Sequence, residues 1–248
     1  MTEIKTDKKT LAGKVAIVTG ASRGVGKAIS IQLAQNGATV LLAATNPQKL
    51  QETAQLIAAE GGRAESIVTD LRDETSIKRL VAAAAERFGR LDILVNNAGV
   101  AYAGPIEDTA TEQWDRCHSV NARGAFILCR EALALLKKAK KAYIINIGSV
   151  VSVKGYPLQT AYTASKHALR GFTIALAEEL KNTTIRVHII CPGGVATDMV
   201  GQTRPDLKQA DLMQPGEIAE LVVYLVTHEG NAVIDEVHIR RAGSGPWF

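Results

Sequence analysis

Val15-Ala16-Ile17-Val18-Thr19-Gly20-Ala21-Ser22-Arg23-Gly24-Val25-Gly26 decides the reading of this chain. An apolar, β-branched run suited to a buried strand leads straight into three glycines, and a helical pattern begins among them. Glycine permits a tight turn and lets backbone amides approach a ligand with no Cβ in the way. A helix that opens there points its unpaired amides and positive dipole end at the turn's occupant, which favours a phosphate. The position gives the motif its weight, since glycines without a strand before and a helix after say little.

The same alternation runs outward along the chain. Further strands are predicted at 39–44, 64–69, 91–95, 142–147, 185–190 and 232–239. Helices are predicted at 24–36, 47–60, 74–88, 111–138, 161–180 and 215–227. Gly37, Gly61-Gly62 and Gly89 stand where helices should stop, and Pro47 and Pro215 where they should start. Strand and helix in strict turn imply an α/β fold: a Rossmann-type, doubly wound parallel sheet of about seven strands with helices on both faces. No linker interrupts the series, so residues 11–248 are expected to form a single domain behind a flexible tail, 1–10.

Composition narrows the functional classes. With 46% hydrophobic and 22% charged residues, the 248-residue chain has the apolar content for a sizeable core and is not of disordered type. Its longest apolar runs, such as 40–44 and 81–85, fall far short of the roughly 20 residues that cross a bilayer. Residues 1–14 alternate acids and lysines without the apolar core of a secretory signal. Cys117, Cys129 and Cys191 make an odd count without close pairing, which argues against a disulfide framework and fits a reducing cytoplasm. Asn182-Thr183-Thr184 then has no route to a glycan. No His, Cys and acid cluster has ligand spacing, so no metal is expected. The net charge of +4 is dispersed except for Lys137, Lys138, Lys140 and Lys141, which suit a helix end, and no nucleic-acid partner is expected.

Gly20-Ala21-Ser22-Arg23-Gly24 also fits the G-x-S-x-G elbow of a serine hydrolase. An elbow after the first strand would lack the upstream loop that supplies the second oxyanion-hole amide, and none of the five histidines stands out as its base. The dinucleotide reading is therefore preferred. Folds that take NAD usually place an acid about 20 residues beyond the glycines to hold the ribose 2′-hydroxyl. Here no Asp or Glu lies between Gly37 and Gln51, and the second strand ends in Ala43-Ala44-Thr45-Asn46. Without a carboxylate to repel a 2′-phosphate, and with Arg23 in the turn and Lys27 or Lys49 near it, NADP(H) is favoured, NAD(H) remaining open. The plainer reading of Arg23 is a solvated surface charge.

Tyr162-Thr163-Ala164-Ser165-Lys166 spaces a phenol and an ammonium at i and i+4, on one helix face. A nearby cation should lower the tyrosine pKa and suit it to exchange a proton with a carbonyl and alcohol pair. Alone, such a pair is weak evidence. Taken with Thr19 to Gly26, Asn96-Asn97-Ala98-Gly99, Ser149 and Pro192-Gly193, in this order over about residues 12–240, it makes the chain resemble the short-chain dehydrogenase/reductase family.

That resemblance implies hydride transfer between a nicotinamide and a carbonyl or alcohol substrate. It makes Tyr162 the acid/base, Lys166 its electrostatic partner and a ribose ligand, Ser149 the carbonyl polariser, and Asn121 the holder of a relay water. It assigns cofactor contacts to Gly20, Ser22, Arg23, Gly24, Val25 and Gly26, to Thr45, to Asp70 and Leu71 at the adenine, and to Asn97, Ala98 and Gly99 at the adjacent ribose. Pro192, Gly193, Val195 and Thr197 should meet the nicotinamide carboxamide. Asp70 also reads as a helix N-cap.

Many members, the 3-oxoacyl-carrier-protein reductases among them, end in a strand followed by V-D-G-G. This chain instead runs Ile239-Arg240-Arg241-Ala242-Gly243-Ser244-Gly245-Pro246-Trp247-Phe248. The departure weakens a fatty-acid-synthesis assignment, although such a reductase stays as the alternative, and a non-catalytic dinucleotide-binding regulator or scaffold as a third reading. Trp247 and Phe248 are candidates for a subunit contact in a homotetramer or homodimer. The segment before Pro215 offers only a short lid. The pocket should be lined by 100–103, 151–156, Leu158 and 194–195, a mostly apolar set with no arginine or carboxylate dedicated to a charged substrate.

Overall fold

A computed structural model describes residues 10–204 and 206–245. Seven strands form one parallel sheet in the order β3-β2-β1-β4-β5-β6-β7: β1 (Val15–Thr19), β2 (Thr39–Ala44), β3 (Arg63–Val68), β4 (Ile93–Asn96), β5 (Ala142–Ile147), β6 (Ile185–Pro192) and β7 (Glu236–Ile239). The helices are α1 (Gly24–Gln35), α2 (Pro47–Ala59), α3 (Glu74–Phe88), α4 (Thr111–His118), α5 (Gly124–Leu136), α6 (Thr160–Leu180), α7 (Asp198–Thr203) and α8 (Pro215–Thr227).

The period-2 alternation of strand side chains divides the core between the two faces. Ala16 and Val18 of β1 pack with Ile29 and Leu33 of α1, Leu50 and Ile57 of α2, and Ile218 and Val222 of α8. Val15 and Ile17 point the other way, onto Ile77 and Leu80 of α3, Leu128 and Ala132 of α5, and Leu176 and Leu180 of α6. Both flanks of a parallel strand are thus dry, which is why these strands read as continuous apolar runs. At the N-terminal edge of the sheet the buried Asp92 accepts from Lys14, Arg90 and the backbone N–H of Val15. Burial alone would raise its pKa, but those partners hold the carboxyl below its usual value.

Strand order reverses between β1 and β4. In an open parallel sheet the two connections leave that point in opposite directions and open a crevice beyond the strand C-termini. The glycine turn after β1 and Asn97 to Gly99 after β4 flank it.

Beyond shifts of one or two residues at element ends, three differences from the predicted pattern stand out. The helix expected over 111–138 is interrupted at Ser119–Arg123 by a π turn, which inserts one residue into the hydrogen-bond ladder and places Asn121 at the irregularity. The last strand begins at Glu236 rather than 232, and the segment before α8 contains α7, which its short, mixed pattern concealed. Of the 1–10 tail only Thr10 falls among the described residues, and Trp247 and Phe248 lie outside them. No described helix is long and apolar enough to cross a membrane.

Candidate active site

The crevice is a continuous cleft of about 1170 Å³ along the C-terminal edge of the sheet. At its phosphate end, Gly20 and Gly24 adopt positive φ, +66° and +53°, which residues with a Cβ rarely do. The turn is nailed to β4 through Asn97. Its Nδ2 donates to Thr19 O at 2.8 Å, while Thr19 Oγ1 accepts from Asn97 N and Ala98 N, both at 3.0 Å, and donates to Val95 O. A Cβ on Gly26 would lie 2.3 Å from both Asn97 Nδ2 and Gly20 O, so a side chain there would break this clamp. Gly26 therefore acts from beneath the turn and does not line the cleft, unlike Gly20, Ser22, Arg23, Gly24 and Val25.

The opening turn of α1 carries neither a side-chain cap nor an acid, which leaves its amides facing the cleft. Cβ-free glycines below an uncapped helix start match a pyrophosphate, so the residues present fit a dinucleotide. Thr45, Asp70, Leu71, Asn97, Ala98, Gly99, Pro192, Gly193, Val195 and Thr197 all line the same cleft; Lys27 and Lys49 do not. The expected cap role of Asp70 falls instead to Asp73, whose carboxylate accepts from Thr75 N. Asp70 is held by Arg72, whose side-chain hydrogen bonds lower its pKa.

Arg23 lies at the mouth, its Nη1 2.9 Å from Asp198 Oδ2 at the start of α7. Both side chains are about 60% exposed, and such a pair contributes at most about 1 kcal/mol.

At the other end, the first turns of α6 bring Tyr162 and Lys166 to the cleft beside Ser149, which caps the turn Val150–Ser152 after β5. Lys166 is buried, and its Nζ donates to Ile147 O at 2.7 Å. The sequence pattern implied a lowered phenol pKa; the structure shows the opposite balance. Burial pushes Tyr162 up to about 12, against the pull of a hydrogen bond with Ser149, and burial brings Lys166 down to about 8. Desolvation outweighs any attraction between the two, because each is taken from water before it gains a strong opposite charge.

Asn121 is buried and does not line the cleft. Its Oδ1 accepts from Val100 N and its Nδ2 donates to Val100 O, both at 2.8 Å, and to Ser165 Oγ at 2.9 Å. Its amide is thus committed to tying the π turn to the loop after β4 and to α6. A side chain on Gly99 would meet Asn121 Oδ1 at 3.4 Å and Lys166 Nζ at 3.6 Å.

Sequence reasoning missed Asn146. Its Oδ1 accepts from Asn96 Nδ2 at 2.8 Å, and its Nδ2 donates to Thr173 Oγ1 at 2.7 Å, a buried polar chain that joins β4, β5 and α6. An asparagine alone in the apolar run Ala142–Ile147 was the available signal.

Spacing also gave no hint that Cys191, Glu236 and His238 meet, because neighbouring strands bring them together; their ligand atoms lie within 4.8 Å of one another. Arg170 already takes the Glu236 carboxylate with three hydrogen bonds, and burial pushes the Cys191 thiol up to about 11, so the group is an ion-pair cluster around a thiol rather than a thiolate site.

The substrate end departs most from expectation. Val100, Val151, Lys154, Tyr156, Gly194 and Val195 line it, whereas Ala101, Tyr102, Ala103, Ser152, Val153, Gly155 and Leu158 do not. The lid supplies Met199, Val200, Thr203, Arg204 and Leu207, and the C-terminal segment supplies Arg240, Arg241 and Ser244. Among the described residues eight Lys or Arg side chains and two carboxylates line the cleft as a whole, and Arg204, Arg240 and Arg241 are arginines that the expected, mostly apolar set did not include.

A dinucleotide cradle at the switch point of a parallel sheet, with Ser149, Tyr162 and Lys166 facing its far end, defines an oxidoreductase of nicotinamide type acting on CH–OH and C=O groups. The short chain dehydrogenase family model matches residues 14–208, and the chain belongs to that family. The chain is similar to a 3-oxoacyl acyl-carrier-protein reductase of Thermotoga maritima, 32% identical over 92% of this chain and 96% of the relative. It is also similar to cyclopentanol dehydrogenase of a Comamonas species, 35% identical over 89% and 92% respectively. A metagenomic short-chain oxidoreductase solved in complex with NADP superposes with a TM-score of 0.83 at 35% identity, covering 95% of this chain and all of the other. Relatives this alike differ in the substrates their names state, so likeness does not select one here.

Proposed function

We propose that the protein is an NADP(H)-dependent oxidoreductase interconverting a carbonyl compound and its alcohol, with Tyr162 as the proton donor and acceptor. The observation that carries this is the convergence of Ser149, Tyr162 and Lys166 at one end of a cleft whose other end is a Cβ-free phosphate cradle. Bound there, the nicotinamide supplies or accepts hydride at the carbonyl carbon.

The chain's own residues manage charge and proton. Ser149 and Tyr162 donate hydrogen bonds to the carbonyl oxygen as negative charge develops on it, and Tyr162 passes its proton to that oxygen. Lys166, anchored by Ile147 O, stands where its positive charge favours the phenolate left behind. Asn121 is a positioning residue: its committed amide fixes Val100 and Ser165 around the site. Arg23 takes the 2′-phosphate in place of Asp198, because an exposed ion pair gives way readily to a dianion, and Thr45 brings a hydroxyl to the same cleft. The absence of an acid between Gly37 and Gln51 and the NADP held by the metagenomic relative support the same cofactor. Three buried free cysteines suit a reducing cytoplasm.

The test follows NADPH consumption over a panel of ketones and aldehydes with the wild type and Tyr162→Phe. The variant should bind NADPH with unchanged affinity and lose at least about a thousandfold in kcat, since it lacks only the transferable proton. Turnover retained by Tyr162→Phe contradicts the mechanism, and NADPH binding without turnover of any carbonyl by the wild type favours a regulatory binding protein.

A further inference from the structure

The C-terminal segment beyond β7 is folded by its own first arginine. Arg240 Nη1 donates to the backbone carbonyls of Arg241, Ala242 and Ser244, and Ser244 closes the turn by donating from N and Oγ to Arg241 O at 3.0 and 2.8 Å. Gly193 N donates to Ile239 O at 2.8 Å, which docks this turn against the loop after β6. The arrangement lays the Arg241 stem over Gly194, where a Cβ would come within 3.4 Å of Arg241 Cδ and 2.9 Å of Leu212 Cδ2.

Arg241 is half-buried, lines the cleft, and makes no side-chain hydrogen bond or ion pair among the described residues. Three other arginines of the cleft are held in carboxylate pairs: Arg23 with Asp198, Arg72 with Asp70, and Arg204 with Asp206 through two hydrogen bonds of 2.7 Å. Lys154 and Arg204 flank the ring of Tyr156, 5.0 and 5.7 Å from its centroid. The Asp206 carboxyl that Arg204 binds is held below its usual pKa first by that hydrogen bond and further by the charge of Arg241. Arg241 makes no hydrogen bond to that carboxylate, so a planar carboxylate arriving with substrate can meet its guanidinium through two parallel bonds.

We propose that Arg241 binds a carboxylate of the substrate, so that the carbonyl compound is an oxo acid and its alcohol a hydroxy acid. This rests on the oxidoreductase reading and names the substrate class of the same site. Arg241 fixes the end of the substrate remote from Tyr162, and Lys154 adds its positive charge to the same cleft.

The test is calorimetric titration of hexanoate, hexanamide and pentyl phosphate into the protein, with and without NADPH, for the wild type and Arg241→Gln. Hexanoate should bind the wild type at least about tenfold more tightly than hexanamide, and the ratio should fall to about one in Arg241→Gln, with hexanamide affinity reporting an intact pocket. Equal binding of acid and amide by the wild type, a ratio that survives in Arg241→Gln, or retention of the phosphate alone would each overturn the proposal. Selective hexanoate binding by a protein that turns over no carbonyl would instead count against the oxidoreductase reading and leave the carboxylate site standing.

Discussion

The two ends of the cleft are built on different principles. At the phosphate end the specification is mostly backbone: glycines without Cβ, a turn clamped by Asn97, and an uncapped helix start. At the substrate end it is side chains from segments distant in sequence, with Lys154 on the loop after β5, Arg204 at the end of α7 and Arg241 beyond β7. Backbone geometry recognises what every dinucleotide shares, whereas a convergence of side chains recognises one substrate class. The first end therefore tolerates little change, and the second can be rewritten without disturbing the sheet.

Gly26→Ala breaks that contrast most directly. Its Cβ would press on the Gly20 carbonyl, which belongs to the backbone and cannot rotate aside, and NADPH affinity should fall by about a hundredfold. Gly171→Ala in α6, where nothing lies within 4 Å, is the matched control and should bind as the wild type does. Equal affinities for all three proteins would mean that the turn does not depend on its missing side chains. A smaller effect sharpens the comparison at Arg23, a charged side chain in the glycine turn. Asp198→Asn removes the partner of Arg23, and NADPH should then bind about two- to threefold more tightly with NADH little changed. Weaker NADPH binding in that variant would show that Asp198 supports the cofactor rather than competing with it.

The same contrast explains what could be read from sequence. β1, β2, β5, α3 and α8 begin and end where periodicity, glycine stops and proline starts put them, because local pattern and burial agree. That the glycine turn and Ser149 reach the cleft was legible because each follows a strand end, and that Tyr162 and Lys166 share it because their i, i+4 spacing puts them on one face of α6. The π turn at Ser119–Arg123 was not, since its flanks keep a helical pattern and one inserted residue leaves no mark in composition. The balance at Tyr162 and Lys166 was misjudged for a related reason: spacing shows which groups are neighbours, but desolvation depends on everything packed around them. Arg241 looked like part of an unusual ending, and only the path of β7 beside β6 carries it to the cleft.

The most direct test of the central claim, that this cleft takes NADP(H) with Arg23 reading its 2′-phosphate, is a fluorescence titration of wild type and Arg23→Ala with NADPH and NADH at low and moderate salt. The wild type should bind NADPH about tenfold or more tightly than NADH, with the preference shrinking as salt rises and largely lost in Arg23→Ala. A wild type that prefers NADH, or an Arg23→Ala that loses both cofactors equally, would contradict it.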